Sequence, residues 1–506
     1  MMRRIAVLIL VGCALPAAAI AFAVDGRNLE RDDLNVKDRE RVAAITRPGG
    51  DFTAAEKFER MQAGAATTTK LVNADIFSQP SANLGFEGQQ RFALGNGLFR
   101  KDWVSAPSST RASDGLGPLF NARSCQSCHI KDGRGHAPVN VDDPAVSLLV
   151  RLSVPPDSRQ EAAIAAGELP AAPDPVYGLQ LQDFAVAGLP AEGRVRIEYD
   201  AVPVALAGGE KVELRRPRLS IDNPGFGPFA PGLMTSARVA PPMIGLGLVE
   251  AIHPADILAR EDPDDLDGDG ISGRAGWVRG VDGERTLGRF GWKAVEPTVR
   301  SQSAHAFAGD MGLSTPDAPN HWGDCTERQP SCLAMPDGAQ AELGAEEVPE
   351  ELMALVAHYA TNLAVPARRD ENDPQVLAGK KLFYESGCVA CHTPKYVTSR
   401  RAEQKEHRFQ LIWPYSDFLL HDMGEDLADH RSEGPATGME WRTPPLWGIG
   451  LSATVNGEAS YLHDGRARTL LEAVLWHGGE AAAAKRRVVE MDPADRAALI
   501  RFLESL

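Results

Sequence analysis

Two segments of the chain carry the regular spacing of apolar residues that predicts an amphipathic helix, and they lie in corresponding places in its two halves. In each segment, apolar side chains recur every three or four residues, so they would share one face of a helix. We therefore expect a closing helix at the end of each half. The two stripes consist of Leu352, Leu355, Val356, Tyr359 and Leu363 in residues 350–363, and of Leu499, Phe502, Leu503 and Leu506 in residues 492–506.

A different pattern occupies residues 141–345, which contain many prolines and glycines. Short apolar or alternating runs interrupt this region, among them residues 146–152 and 195–199. Such runs, bounded by turn-forming residues, are typical of β-strands. The sequence therefore predicts an irregular, partly β insertion within the first half of the chain.

The start of the chain has the pattern of a secretory signal peptide. A basic head precedes an apolar run over residues 5–20, and the string Ala-Phe-Ala of residues 21–23 is typical of a cleavage site. We expect cleavage before Val24 and export to the periplasm. The alternative is a lipoprotein signal that ends at Cys13. Its apolar run would be very short, so lipid anchoring is the weaker interpretation.

The charge balance narrows the range of partners. The chain has 53 lysines and arginines against 69 aspartates and glutamates, a net charge of −16. Nucleic acid is therefore excluded as an expected partner, because its phosphates attract basic proteins. The charge is compatible with a basic electron-donor protein, although a total charge is weak evidence for one.

The main chemical signal is the string Cys-x-x-Cys-His, which occurs at residues 125–129 and again at 388–392. Each string is typical of covalent haem c attachment, in which two thiols bind the haem and the histidine binds its iron. A zinc site with cysteine pairs so far apart would be unusual. A thioredoxin-like redox dithiol is expected within a βαβ unit, which the sequence does not show. The residues expected to hold two haem c groups are Cys125, Cys128 and His129, and Cys388, Cys391 and His392.

Each string has helix-forming residues before it and a closing helix after it, which is the plan of a cytochrome c domain. Residues 379–387, for example, suit a short helix capped by glycine. We expect a mainly α fold with two cytochrome c-like haem domains, the first with the partly β insertion over its haem. The predicted segments are a signal peptide at 1–23, an N-terminal extension at 24–75, a first domain at 76–365 with its insertion at about 141–345, a linker at 366–373 and a second domain at 374–506.

The second axial ligand of each iron decides between electron storage and reactivity. For the second haem the candidates are Met423 and, as its rival, His421. For the first haem the candidate is His136, in a loop where Gly133 and Gly135 would let the imidazole swing towards or away from the iron. A solvent-exposed histidine without a role is the alternative for His136.

One acidic stretch suggests a cation site. Asp265, Asp267 and Asp269, followed by Gly270, match the first half of an EF-hand calcium loop. The twelfth position is Gly276 instead of glutamate, so calcium would need further ligands from elsewhere. A solvated acidic turn is the alternative.

Further candidates lie between the two strings. Trp292 is placed to carry charge between the haems, although most tryptophans are simply packed. Glu296, His305 and Asp310 are candidate acids or bases beside an open iron, and their spacing does not rank them.

Cys325 and Cys332 lie in a stretch rich in glycine, proline and aspartate. In an oxidising compartment we expect them to form a small-loop disulfide. A redox-active pair is the alternative.

Several strings together resemble the bacterial di-haem oxidoreductase family, also labelled thiol oxidoreductases. The resemblance extends from about residue 80 to the end of the chain, and the combination of strings is specific. They are found at residues 117–135, 264–274, 290–294, 306–312, 420–424, 441–448 and 462–480.

That family is similar to the bacterial di-haem cytochrome c peroxidases. In those enzymes an N-terminal haem meets peroxide, a C-terminal haem with histidine and methionine ligands stores an electron, and calcium lies between them. The resemblance implies that Met423 is the sixth ligand of the second haem, because it precedes the Arg-Thr-Pro-Pro-Leu-Trp string as the peroxidase methionine precedes its own. The insertion replaces the region of the peroxidases' distal glutamine or glutamate, and the sequence offers no clear counterpart.

The expected function is that of an exported di-haem oxidoreductase with peroxidase-like activity. Electrons from a periplasmic cytochrome or cupredoxin would pass through the His392/Met423 haem to the His129 haem, where peroxide or another small oxidant is reduced. Trp292 and His136 are the catalytic candidates. Two alternatives stay open: a non-catalytic di-haem electron carrier, and a haem oxidase or oxygenase that acts on an organic or protein substrate.

Overall fold

The computed structural model describes residues 30–506, apart from 111–112, 139–142, 144–145, 341 and 343. The predicted signal peptide at 1–23 and the alternative lipidation site at Cys13 lie outside the described residues. Among the helices of the described part, none has the length and apolar character needed to cross a membrane.

The described chain contains both helices and many short strands, so the expectation of a mainly α fold is wrong and the fold is mixed. The insertion forms strand pairs, and short strands also occur in the second half. The helices are α1 Val36–Thr46, α2 Phe86–Phe99, α3 Cys125–Cys128, α4 Ser158–Ala165, α5 Leu246–Glu250, α6 Pro254–Leu258, α7 Val299–Met311, α8 Pro330–Leu333, α9 Glu350–Thr361, α10 Pro374–Glu385, α11 Ser452–Asn456, α12 Leu470–Trp476, α13 Ala482–Glu490 and α14 Pro493–Ser505.

Each sheet in the described part of the chain consists of two strands. β1 and β2 are parallel, whereas the pairs β3–β5, β4–β8, β6–β7, β9–β10, β11–β12 and β13–β14 are antiparallel. The strands are β1 Val104–Ser105, β2 Asp114–Leu116, β3 Leu119–Phe120, β4 Leu148–Ser153, β5 Phe184–Ala185, β6 Arg194–Ala205, β7 Lys211–Asp222, β8 Met234–Val239, β9 Trp277–Arg279, β10 Arg285–Leu287, β11 Tyr396–Val397, β12 Leu411–Ile412, β13 Leu420–Asp422 and β14 Glu440–Arg442.

In the first half, helix α2 crosses the closing helix α9 at a glycine. A Cβ atom at Gly95 would overlap the carbonyl oxygen of Leu355 and would lie 2.7 Å from Cβ of Tyr359. Because only glycine leaves room there, the two backbones touch. Phe99, one turn after Gly95, packs on Tyr359 with ring centroids 5.1 Å apart. The same phenylalanine lies 6.2 Å from the imidazole of His129.

The second half repeats this crossing between α10 and the closing helix α14. A Cβ atom at Gly379 would overlap the carbonyl oxygen of Ala498 and would lie 2.8 Å from Cβ of Phe502. Phe383, one turn later, lies 5.2 Å from Phe502 and 6.1 Å from the imidazole of His392. A glycine and a phenylalanine four residues apart therefore hold each Cys-x-x-Cys-His string beside its closing helix. Both predicted closing helices are confirmed.

The insertion contains the two predicted strands, which are confirmed as β4 and part of β6. It does not lie only over the first string, as the sequence suggested. Leu206 and Leu214, at the closed end of the long β6–β7 hairpin, are buried in the core of the second half. Arg215 also donates a hydrogen bond to the carbonyl oxygen of Arg466 at 2.9 Å. The alternating apolar side chains of the hairpin thus attach the insertion to the second half.

The predicted disulfide between Cys325 and Cys332 is confirmed, with Cα atoms 6.1 Å apart. The loop that it closes begins beside Asp324. The Asp324 carboxylate accepts hydrogen bonds from the backbone N–H groups of Leu179 and Gln180 at 2.5 and 2.9 Å. The start of the disulfide loop is therefore bonded to residues 179–180, in another part of the insertion.

The glycine at the first crossing provides a stability test. We expect Gly95→Ala to lower the free energy of unfolding by about 1–3 kcal/mol, because the added methyl group overpacks the contact of α2 with α9. Gly97→Ala is the matched control in the same helix, since a Cβ atom there meets nothing within 4 Å. The control is expected to gain about 0.5–1 kcal/mol of helix stability. Chemical denaturation measures the free energy of unfolding of both variants. Equal changes in the two variants would contradict the close contact between α2 and α9.

Candidate functional site

The first string forms the short helix α3, which places His129 at its end. Nδ1 of His129 lies 2.8 Å from the carbonyl oxygen of Pro241. A carbonyl only accepts, so Nδ1 carries the proton and Nε2 keeps its lone pair. Burial lowers the pKa of His129 to about 4. The imidazole is therefore neutral and oriented, as a metal ligand requires.

The second string is arranged in the same way. Nδ1 of His392 lies 2.9 Å from the carbonyl oxygen of Tyr415 and donates its proton there. Burial lowers the pKa of His392 to about 4. Cys388 and Cys391 are partly exposed and form no disulfide. Both strings thus present two free thiols and one neutral imidazole with an available Nε2.

The first string opens on a large cavity of about 1720 Å³, whose walls include Cys125, Cys128 and His129. This volume exceeds the roughly 300–1,000 Å³ of ordinary small-molecule pockets. One wall is a face of the β4–β8 pair, and another is helix α7. The cavity therefore offers space for a macrocycle beside the string and for a smaller molecule next to it.

The charges on the cavity wall fit a haem, which carries two anionic propionates. Arg134 is buried and lines the cavity, yet it forms no ion pair among the described residues, and its Nε has no partner there. Burial lowers the pKa of Arg134 to about 10. Arg442 also lines the cavity, and within the described part of the chain its guanidinium bonds only to the carbonyl oxygens of Gly291 and Thr443. Buried cations without carboxylates are costly, and anionic propionates would offset that cost.

The second string lies beside an apolar core. Cys388 and Met423 pack against the core of the second half, which contains Trp413 and Trp476. Nε1 of each of these tryptophans is buried and has no acceptor among the described residues. The two indole N–H groups would donate hydrogen bonds to the propionate oxygens of a haem. The two strings therefore share the hydrogen bond that orients their histidines and differ in their walls.

The two candidates for the second axial ligand have different surroundings. Nε2 of His421 lies 2.8 Å from Asp417, and Nδ1 lies 2.6 Å from Glu480. Burial opposes a charge on this ring, but the two carboxylates raise the pKa of His421 well above its ordinary value. Both nitrogens therefore donate protons and neither is free for iron. Met423, two residues later, packs between the core beside Cys388 and the core that contains Trp292.

The loop that carries His136 is packed on both sides, so the expectation of a swinging loop is wrong. A Cβ atom at Gly135 would lie 2.6 Å from the carbonyl oxygen of Ser147, and one at Gly133 would overlap the side chain of Asn456. His136 itself, with Nδ1 3.1 Å from the carbonyl of Ala137, is not among the described residues that line the cavity. The residue that this loop delivers to the cavity is Arg134.

Trp292 is buried and lines the cavity, where the guanidinium of Arg134 lies 5.4 Å from its ring. Its Nε1 donates to the carbonyl oxygen of Val239 at 2.9 Å. Trp441 belongs to the same core and stacks on His463 with ring centroids 3.7 Å apart. This pair was not predicted from the sequence. Its two members belong to the strings at 441–448 and 462–480, but their contact has no periodic signal.

The three candidate acids and bases all line the cavity. Nδ1 of His305 lies 2.5 Å from the buried carboxylate of Glu296, and this hydrogen bond raises the pKa of His305. Asp310 lies on the same helix α7, and burial raises its pKa. Asp310 accepts a hydrogen bond from the amide of Gln180 at 2.9 Å. The cavity thus contains one histidine–carboxylate pair and one carboxyl group with a raised pKa.

The acidic loop brings together a different set of residues from the expected one. Carboxylate oxygens of Asp262, Asp265 and Asp267 lie within 4.8 Å of one another. Asp269 instead accepts a hydrogen bond from the backbone N–H of Ile271 at 2.9 Å. The carboxylates also cap N–H groups of their own loop, so calcium binding stays a prediction.

The ion pairs of His421 allow a direct test. We expect His421→Ala to lower the free energy of unfolding by about 3–5 kcal/mol, because it leaves the buried carboxylate of Asp417 and the partly buried carboxylate of Glu480 without the charge of His421. His430→Ala removes an exposed histidine that pairs with Glu425 at 3.2 Å. That control should change the free energy by no more than about 0.5 kcal/mol. Urea denaturation measures the free energy of unfolding of both variants. Similar losses in the two variants would contradict this arrangement of ion pairs.

Comparison with known proteins agrees with this geometry. A family model described as "Di-haem oxidoreductase, putative peroxidase" matches residues 58–506. Searches of curated proteins and of solved structures return no match. The matched region includes both Cys-x-x-Cys-His strings, the cavity and the closing helices. The chain therefore belongs to the di-haem oxidoreductase family.

Proposed function

We propose that this protein is an exported di-haem c-type cytochrome with peroxidase activity. Two electrons from a periplasmic cytochrome or cupredoxin would enter beside His392, and peroxide would be reduced beside His129. There one peroxide molecule takes up two electrons and two protons and leaves as two waters. The observation that carries the proposal is the inequality of the two strings: one opens on a cavity lined by ionisable groups, and the other faces a packed core with Met423.

The residues that would hold the haems follow from the geometry. Cys125 and Cys128 would form the thioether bonds of the first haem, with His129 as its iron ligand. For the second haem the ligands would be His392 and Met423, and the thioether bonds would form at the other cysteine pair, Cys388 and Cys391. When bound, haem iron supplies the redox chemistry that breaks the O–O bond of peroxide.

The chain itself supplies the protons. The Glu296 carboxylate holds the His305 ring at Nδ1 and favours its protonated form, so the Nε2 proton is available for donation. His305 is thus the candidate general acid, and Asp310 with its raised pKa is a second proton source. Trp292, between the cavity and the core that touches Met423, is the candidate relay for electrons.

The test uses the mature holoprotein, hydrogen peroxide and a reduced cupredoxin. We expect two donor molecules oxidised per peroxide. Cys125→Ala with Cys128→Ala, and Cys388→Ala with Cys391→Ala, should each remove one haem from the measured mass and abolish donor-driven turnover. Cys325→Ala with Cys332→Ala is the matched cysteine-pair control and should keep both haems.

Two results would overturn the proposal in different ways. A protein that carries two haems but never oxidises the donor in the presence of peroxide would be an electron carrier. Oxygen uptake with an organic or protein substrate, without peroxide turnover, would indicate an oxidase or oxygenase.

The pH dependence of turnover tests the role of His305. If its protonated form is the acid, activity falls as pH rises through its raised pKa. Glu296→Gln removes the partner that raises this pKa, so the high-pH limb of kcat/KM for peroxide should move to lower pH. Glu425→Gln, at the exposed pair with His430, is the control and should leave the limb in place. An unchanged limb in Glu296→Gln would exclude His305 as the acid.

A further inference from the structure

The surface beside the second string carries a concentration of positive charge, although the chain as a whole is acidic. Three consecutive cations, Lys485, Arg486 and Arg487, lie on helix α13, and Lys381 lies on α10 seven residues before Cys388. These four residues are called the basic patch here. Arg486, Arg487 and Lys381 are exposed, and Lys485 is partly exposed.

The basic patch adjoins the expected haem attachment. Nη1 of Arg487 donates a hydrogen bond to the carbonyl oxygen of Ser386 at 2.9 Å. A Cβ atom at Gly387, directly before Cys388, would lie 2.9 Å from the same nitrogen. On its other face α13 buries Val488 in the core against which Cys388 packs. The helix therefore lies along the attachment string with its cations towards solvent.

These charges are not neutralised within the described part of the chain. Lys485, Arg486 and Arg487 form no ion pair there, whereas Lys381 has Glu385 at 3.6 Å. The exposed acid on the same helix is Glu490, at its C-terminal end. The basic patch therefore keeps a net positive charge where the second string reaches the surface.

The surface that these cations border includes apolar side chains. Val389 is partly exposed and Ala390 is exposed within the second string, and Ala483 is exposed on α13. Contacts between redox proteins are characteristically small, below about 1,200 Å², because the partners must separate after each electron. Charges at the rim of such a contact set the rate of encounter more than its final affinity.

We infer that the basic patch docks the acidic face of a small electron-donor protein at the second haem. This inference rests on the proposed function, in which electrons enter at the His392 haem. The total charge of −16 is compatible with a basic donor, but the field at the point of entry is set by nearby charges, because salt screens distant ones within about 8–10 Å. The local field is positive, so an acidic partner is attracted and a basic one is repelled.

The experiment measures reduction of the oxidised holoprotein by stopped flow. The probes are reduced plastocyanin, an acidic copper protein, and reduced mitochondrial cytochrome c, a basic haem protein. We expect the second-order rate constant with plastocyanin to fall about tenfold or more as ionic strength rises from about 10 to about 200 mM. The rate constant with cytochrome c should be smaller and should rise with salt.

Charge reversal locates the effect on the surface. Lys485→Glu with Arg486→Glu should lower the plastocyanin rate constant about tenfold at low ionic strength, and Arg487 is kept because it holds Ser386. Arg328→Glu with Lys405→Glu makes the same charge change at exposed positions outside the basic patch and should alter the rate less than about twofold. Reduction by neutral hydroquinone should be the same in all variants.

Each outcome decides one of the two proposals. The docking surface is overturned if both charge-reversal variants lose the same fraction of the plastocyanin rate constant. It is also overturned if cytochrome c reduces the protein faster than plastocyanin does and this reduction slows with salt. If plastocyanin reduction behaves as expected but peroxide is not turned over, the docking surface stands and the peroxidase proposal fails.

Discussion

The contact on which the rest of this structure depends is the direct approach of two helix backbones at a glycine, made once in each half. At Gly95 and at Gly379 a β-carbon would overlap a carbonyl oxygen of the closing helix. With the helices this close, a phenylalanine four residues later lies on the closing helix and beside the histidine of the Cys-x-x-Cys-His string. Each string is then held by its own carbonyl contact, from Pro241 or Tyr415.

The same pair of crossing helices occurs in both halves, but the two Cys-x-x-Cys-His strings have different surroundings. In the first half the insertion forms cavity walls with a histidine–carboxylate pair and a buried tryptophan. Arg134 and Arg442, which form no ion pair with the described residues, line the same cavity. In the second half apolar residues and Met423 pack close to the string, and the buried pairs of His421 hold the strand that precedes Met423. Function therefore depends on what surrounds each repeated helix pair. The β6–β7 hairpin fixes the insertion to the second half through Leu206 and Leu214, so the two environments belong to one packed unit.

Local patterns in the sequence were sufficient to predict part of the fold and part of the candidate site. The closing helices, strands β4 and β6, the disulfide and the two strings each leave a signal within a few residues, because periodicity and spacing are local properties. The mixed fold was missed, since short strand pairs are defined by partners that are distant in sequence. Arg134, the Trp441–His463 stack and the packing of the His136 loop were missed for the same reason. Gly133 and Gly135 looked like flexible positions, but the structure uses their missing side chains to admit Asn456 and Ser147.

The most direct test of the account is electron paramagnetic resonance of the oxidised, mature protein whose mass shows two added haems. The account predicts two distinct signals: a low-spin signal from the haem with His392 and Met423, and a high-spin signal from the haem beside the His129 cavity. Two low-spin signals without a high-spin signal in the oxidised protein, or a mass without haem, would contradict it.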